Sequence, residues 1–211
     1  FGPTPIRSSY QIRRASFVAC HQFERLERTD VLAVAAPGAT FLLNSPFGPE
    51  TVWERLPVET QRTILEKGLR FYVVDAQKVA TAAGLGLRVN TILQTCFFAL
   101  AGVLDRTEAV ARIKGAIEKS YGKRGRSVVE QNFAAVDAAL DGMHEVPLPS
   151  AMSGDLHRSP PVPEDAPDFV QRVTAMMLAG KGDLLTVSAL PVDGTFPTGT
   201  ARWEKRALAA E

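Results

Sequence analysis

The chain has 211 residues, of which 45% are hydrophobic and 22% are charged, and its formal net charge is +1. This length and composition predict a globular protein with a sizeable core and argue against a largely disordered chain. The small net charge and the lack of an apolar run of about 20 residues give no reason to expect nucleic-acid or membrane partners.

The first part of the sequence alternates apolar strands with helical patterns, and Pro37-Gly38 is expected to end the first helix. The predicted elements are strands at 15–20, 40–44 and 70–75, with helices at 23–34 and 58–68. Continuous apolar strands separated by helices favour a mostly parallel or mixed sheet covered on both faces. The predicted fold class is therefore α/β, with three layers in the order α/β/α.

Three further helices are expected in the middle of the chain. Residues 91–104 are apolar on nearly every face and predict a buried central helix. Asp105 is expected to cap the next helix, with Glu108 in capping-box spacing. The third helix carries an apolar stripe of Val129, Phe133, Val136, Leu140 and Met143. Asn132 lies at the border of that stripe, so its amide is expected to be half-buried and to need a partner.

The composition changes at Glu145, where proline and polar residues become frequent. This predicts an extended arm, followed by a helix at 166–180 and a strand-like stretch at 184–188. We therefore divide the chain into an α/β domain at 1–145 and an extended arm with a helix-containing connecting segment at 146–211. Since the first residue is Phe1 and not methionine, we expect the chain to be a piece of something longer.

Several long peptides, in a fixed order, resemble one protein family. They are FGPTPIRSSY, PGATFLLNSPFGPETVWERLP, TILQTCFFALAGVL, IEKSYGKRG, VVEQNFAAVDAAL, APDFVQRVTAMMLAGKGDLL and VDGTFPTGTARWEKR. In these peptides the chain is similar to a central segment of pyruvate:ferredoxin (flavodoxin) oxidoreductase. The segment corresponds to most of the gamma-type domain, without its N-terminal strand and glycine-rich loop, plus the connecting segment that follows.

The resemblance implies a parent enzyme that oxidises pyruvate to acetyl-CoA and passes electrons to ferredoxin or flavodoxin. It implies thiamine diphosphate, magnesium and [4Fe–4S] clusters elsewhere in that enzyme, with a homodimeric assembly and a cytoplasmic location. For this segment it implies a part of the coenzyme A site and contacts with other domains of the parent enzyme, with no catalytic residue and no metal ligand. The alternative is a purely structural segment that binds no ligand of its own.

The stretch AAGLGLRVN, residues 82–90, raises the question of a ligand site directly. The family pattern here is a glycine-rich segment followed by Arg-Ile-Asn-Thr, and Arg88, Asn90 and Thr91 match it. The resemblance implies that the asparagine at position 90 contacts coenzyme A. Leu87 stands where the family usually has a second consecutive glycine. The family's second asparagine contact corresponds to Asn132. From the residues alone, Asn90 is more readily interpreted as an N-cap than as a ligand contact, and only the family match favours the contact. Arg88 is equally well interpreted as a phosphate contact or as a surface cation.

The remaining polar residues favour structural interpretations. His21 and His144 have no neighbours in the sequence that indicate a metal site or a catalytic triad. Asp75 is expected to cap the helix that follows it, and Cys20 and Cys96 to be buried free thiols.

Two glycine-containing patterns also favour interpretations other than nucleotide binding. DGTFPTGT lacks the ending of a P-loop and is expected to be a loop that docks on neighbouring domains. An unrelated Rossmann dehydrogenase is disfavoured, because no strand precedes a full G-x-G-x-x-G followed by an acidic residue.

Overall fold

A computed structural model describes Pro5 and residues 12–203. Within these residues the sheet has the strand order β1-β2-β3-β4. The strands are β1 (Ala15–Cys20), β2 (Ala35–Asn44), β3 (Arg70–Val74) and β4 (Met143–Glu145). The first three strands are parallel, and β4 pairs antiparallel with β3. The α/β class and the mixed sheet predicted from the sequence are confirmed.

Helices cover both faces of this sheet. Five of them lie in the α/β part of the chain: α1 (Val58–Glu66), α2 (Ala76–Ala82), α3 (Asn90–Leu100), α4 (Arg106–Tyr121) and α5 (Arg126–Asp141). One face packs on α1 and the loops around it, and the other on α2, α3 and α5. Helix α4 lies outside the second layer and packs on α3 and α5. None of the helices in the described residues is long and apolar enough to cross a membrane.

Strand β2 is buried on both sides, as expected for a parallel strand between two helical layers. Phe41 and Leu43 belong to the core on the α1 side, and Leu42 belongs to the core on the α3 side. Phe41 is the register partner of Phe71 on β3, and their rings stack with centroids 5.1 Å apart. A continuous apolar strand of this kind therefore joins two cores rather than one.

The prediction of a helix at 23–34 is wrong, because only a short 3-10 helix forms at Phe23–Glu27. A continuing helix would use the carbonyl oxygens of Leu26 and Glu27 within itself. Instead, Leu26 O accepts a hydrogen bond from Arg158 Nε at 3.3 Å, and Glu27 O accepts one from Ser159 N at 2.8 Å. The partners lie about 130 residues later in the chain, so a local pattern could not reveal them.

Pro37-Gly38 does not end a helix but lies inside β2. The pairing of β1 with β2 shifts at this point: Ala15 faces Ala35, whereas Phe17 faces Thr40. Gly38 has a φ of 72° and donates its N–H to Lys67 O at 2.7 Å. The two residues therefore form an irregularity in the strand that a left-handed glycine makes possible.

The helical region after the glycine turn follows the prediction with one correction. Asp105 caps α4, since its Oδ1 accepts from Thr107 N at 2.9 Å and from Glu108 N at 3.3 Å. Helix α3 ends at Leu100, before the predicted position 104, and it is not buried on all sides. Gln94 is exposed and Phe97 half-buried, because α3 contacts the sheet and three helices, α2, α4 and α5, but leaves one side open.

The arm after β4 lies along α1 and is held there by hydrogen bonds. The buried amide of Gln61 binds both Ser153 O and Ser153 N, at 2.9 and 2.8 Å. Glu59 accepts from Arg158 N at 3.0 Å and lies 2.9 Å from His157 Nδ1. Burial opposes ionisation of Glu59, but these hydrogen bonds outweigh it and lower the pKa from 4.5 to about 2.

The final part of the described chain contains little regular structure. A π-helical turn at Val170–Thr174 continues into α6 (Ala175–Leu178), within the helix predicted at 166–180. The prediction of a strand-like stretch at 184–188 is wrong, because these residues belong in part to two 3-10 turns, Gly182–Leu184 and Val187–Ala189. Leu184 and Val187 are exposed. The division of the chain at residues 145 and 146 stays a prediction.

Candidate functional site

The glycine turn between α2 and α3 depends on two left-handed glycines. Gly84 has a φ of 74° and Gly86 one of 61°, a region that residues with a Cβ rarely adopt. Leu85 between them is buried and donates its N–H to Ala80 O at 2.8 Å. Gln77 Nε2 donates to Gly86 O at 3.0 Å. The turn is thus fixed to α2 and projects the following residues outward.

Arg88 and Asn90 follow this turn, and both are exposed. Arg88 Nε donates to Leu85 O at 3.2 Å, which ties the side chain to the turn. Asn90 is the first residue of α3 and not its N-cap, because Val89 already has helical angles of −87° and −8°. The N-cap interpretation of Asn90 is therefore wrong. Within the described residues, the side chain of Asn90 makes no capping hydrogen bond. Its amide therefore lies at the surface, where a ligand can reach it.

Asn132 lies on α5, which packs against α3, and is 4% exposed. Its Nδ2 donates to Val128 O at 2.8 Å, one turn earlier in α5. Its Oδ1 lies 3.5 Å from Thr91 Oγ1, the residue after Asn90. The amide is more buried than the sequence pattern predicted, and it has the partner that burial requires.

A groove of about 440 Å³ opens beside Asn90 at the carboxyl end of β1. Its lining consists of Ala19, His21, Asn90, Leu93, Gln94 and Phe97. Ligands of α/β proteins commonly bind outside the carboxyl ends of the strands. The groove has the size and mixed lining of a small-molecule site, with apolar walls and a few polar groups. Arg88 and Asn132 are not among its lining residues.

Three polar residues around this groove are not recognisable from the sequence. The sequence favours a structural role for His21, and Gln94 looks like one polar position of an apolar helix. Asn44 ends β2, where it donates Nδ2 to His21 O at 3.0 Å and accepts from Ala76 N at 3.0 Å. It thereby joins the end of β1 to the start of α2. A polar residue directly after a buried strand was the available signal, because such positions meet at one edge of the sheet.

A second pocket, of about 380 Å³, lies between the loop after β2 and the start of α2. Phe47, Lys78 and His144 are among its lining residues, together with Asp75. Asp75 caps α2 as predicted, since its Oδ1 accepts from Lys78 N at 2.9 Å. Among the described residues, Asp75 supplies the only carboxylate that lines this pocket, and that carboxylate already accepts a hydrogen bond from the first turn of α2.

The two cysteines are free and buried, as predicted. Burial raises the pKa of Cys96 to about 12 and also raises the pKa of Cys20, so neither thiol is readily ionised. A [4Fe–4S] cluster needs four thiolates, and this chain contains two cysteines. The described residues also hold no group of three or more His, Cys, Asp or Glu side chains arranged for a metal ion. A [4Fe–4S] cluster therefore does not fit the residues of this chain.

Two family models match the chain. The model described as "Pyruvate ferredoxin/flavodoxin oxidoreductase" matches residues 1–142. The chain belongs to the pyruvate ferredoxin/flavodoxin oxidoreductase family. The second model, EKR, described as "Domain of unknown function", matches residues 155–209. Both the glycine turn and the groove lie within the oxidoreductase match.

Curated members of the pyruvate ferredoxin/flavodoxin oxidoreductase family resemble the chain over its full length. The pyruvate-flavodoxin oxidoreductase of Rhodospirillum rubrum is 55% identical over 212 residues. That of Nostoc sp. is 51% identical over 218 residues. Each match covers 100% of this chain but only 18% of the relative, so the chain spans less than a fifth of these proteins.

Among solved structures, the chain is similar to a pyruvate oxidoreductase subunit PORC from Thermotoga maritima. It is 15% identical with a TM-score of 0.46, and the match covers 63% of this chain and 66% of that one.

Proposed function

We propose that this chain is a segment of an enzyme that oxidatively decarboxylates pyruvate to acetyl-CoA. Electrons pass from that enzyme to ferredoxin or flavodoxin. The proposal is supported by the family to which the chain belongs and by the names of its full-length-matching relatives. The clusters would be held by other parts of the parent enzyme, because the two cysteines of this chain cannot supply the four thiolates of a [4Fe–4S] cluster. Thiamine diphosphate and magnesium would also be held there, as the family resemblance implies. The parent enzyme would act in the cytoplasm as a homodimer.

Within that enzyme, the segment contributes to binding coenzyme A. The observation that carries this proposal is the exposed amide of Asn90, which follows a fixed glycine turn and lines a groove at the carboxyl end of β1. An exposed amide that caps nothing can donate to and accept from a ligand. Arg88, two residues earlier on the same turn, supplies a positive charge suited to a phosphate.

Asn132 contributes to the same site through its contact with Thr91. Its Oδ1 faces Thr91, so the buried amide supports the first turn of α3, where Asn90 stands. With 4% of its surface exposed, Asn132 can touch only a small part of a ligand. Replacing Asn132 by alanine would therefore disturb the position of Asn90 and also remove a small contact with the ligand.

The test is steady-state kinetics of the full-length enzyme with Asn90→Ala and Asn132→Ala. A hydrogen bond contributes roughly 0.5–1.5 kcal/mol, so each change should raise the KM for coenzyme A about two- to tenfold. The KM for pyruvate should stay within twofold. Ser120→Ala, at an exposed residue of the outer helix α4, is the control. An unchanged KM for coenzyme A in both asparagine variants would leave only the structural alternative.

Contact with other domains is the second proposed role of the segment. Seven large apolar side chains between residues 177 and 196 are exposed: Met177, Leu178, Leu184, Val187, Leu190, Val192 and Phe196. Exposed apolar side chains grouped in one short segment are typical of an interaction surface. Val187→Asp combined with Val192→Asp should make the full-length enzyme more sensitive to limited proteolysis near this segment. Unchanged proteolysis would argue against a docked surface.

A further inference from the structure

His21 and Gln94 line the groove together with Asn90. His21 directly follows the last residue of β1, and Gln94 stands four residues after Asn90 on α3. Residues four apart lie on the same side of a helix, so the amides of Asn90 and Gln94 form a row along one wall. All three side chains are exposed. No hydrogen bond holds the side chain of His21 or Gln94 within the described residues, which leaves both free for a ligand.

The other part of the lining is hydrocarbon. Leu93 is 4% exposed and fixed in the core, and Ala19 belongs to β1. Phe97 packs edge-on against Phe17 with ring centroids 5.1 Å apart, which fixes the ring at the end of the groove. The groove is therefore an apolar channel with two amides and an imidazole along it.

The lining of the groove suits some parts of coenzyme A better than others. Phosphate groups bind best to guanidinium and ammonium groups, and the six lining residues include neither. A chain of amide bonds separated by methylene and methyl groups matches the lining better. Its N–H and C=O groups pair with side-chain amides and imidazole, while its hydrocarbon covers Ala19 and Phe97.

We propose that the groove binds the neutral, amide-containing pantetheine arm of coenzyme A, with His21 and Gln94 as hydrogen-bonding residues beside Asn90. This inference rests on the proposed role in coenzyme A binding and goes beyond it by assigning the arm to one groove. The nucleotide end of coenzyme A then lies outside the groove, on the side of the exposed Arg88.

The test uses the full-length enzyme with His21→Ala and Gln94→Ala, and two fragments of coenzyme A as probes. Pantetheine serves as an alternative acyl acceptor, and adenosine 3′,5′-bisphosphate as an inhibitor that lacks the arm. Each variant should raise the KM for coenzyme A and for pantetheine by the same factor, about two- to tenfold. The inhibition constant of the bisphosphate and kcat should stay within twofold of the wild type.

Two further variants keep the result interpretable. His21→Asn retains hydrogen bonding and should recover part of the affinity, whereas His144→Ala, at an exposed histidine outside the groove, should change nothing. A rise of the bisphosphate inhibition constant in parallel with the KM would overturn the assignment of the arm. An unchanged KM in His21→Ala and Gln94→Ala, with Asn90→Ala still effective, would overturn the groove but retain coenzyme A binding. If Asn90→Ala is also without effect, the proposed function itself fails.

Discussion

Replacing Gln61 by leucine is expected to loosen the arm from the α/β core. The side chain is fully buried, and its Nε2 lies within 3.0 Å of three carbonyl oxygens, those of Trp53, Leu56 and Ser153. Its Oε1 accepts from Ser153 N at 2.8 Å. An amide nitrogen has two hydrogens, so these contacts amount to about three full hydrogen bonds. At roughly 1 kcal/mol each, the substitution should cost about 3 kcal/mol of unfolding free energy.

The measurement is urea unfolding of the 211-residue chain, followed by far-UV circular dichroism, with Gln131→Leu as the control. Gln131 is exposed on α5, so the same substitution there should change the unfolding free energy by less than about 0.5 kcal/mol. Gln61→Leu should also expose the arm around Ser153 to proteases. Equal unfolding midpoints for the two variants would refute the claim that this amide holds the arm.

The remaining predictions concern pH, thiol reactivity and the glycine turn. Since the folded-state pKa of Glu59 lies below its ordinary value, its stabilising contribution is present above about pH 4.5 and is lost as the pH falls towards 2; urea midpoints measured across this range should decline less in Glu59→Gln. Native protein should react slowly with a thiol reagent at pH 7 and expose both Cys20 and Cys96 after denaturation; rapid native labelling would contradict their burial. Gly86→Ala should destabilise by about 1 kcal/mol because of its positive φ, whereas Gly115→Ala, on the exposed side of α4, should stabilise by up to about 1 kcal/mol; thermal melts in which both change stability in the same direction would contradict this.

Three of the four strands and most helices could be predicted because their signals are local, whereas β4, at Met143–Glu145, lies where the apolar stripe predicts the end of a helix. The strand at Ala15–Cys20 is a short apolar run, and Asp105 combines a capping residue with the acidic residue expected three positions later. These patterns act within one or two turns of the chain, so the sequence alone determines them. The region at 23–34 differs because its carbonyl groups are bound by Arg158 and Ser159. A contact across such a distance along the chain overrides the local preference for a helix.

The candidate site was predictable only in part, for the same reason. Asn90 and Arg88 could be found because they follow a recognisable glycine turn. His21 and Gln94 could not, since each looks ordinary in its own segment and only the fold brings them to one groove. Asn132 was expected to be half-buried, but the close contact of α3 with α5 leaves it 4% exposed. The depth of an amide in a helix interface depends on packing distances that a stripe of apolar residues does not specify.

Hydrogen–deuterium exchange of the full-length enzyme, with and without coenzyme A, tests the central claim most directly. If this segment binds coenzyme A through the turn and the groove, the ligand should slow the exchange of backbone amides in residues 84–97. Helix α4 at Arg106–Tyr121 lies in the outer layer and should show no change, which makes it an internal reference. Protection by coenzyme A elsewhere in the enzyme, with none in residues 84–97, would contradict the account.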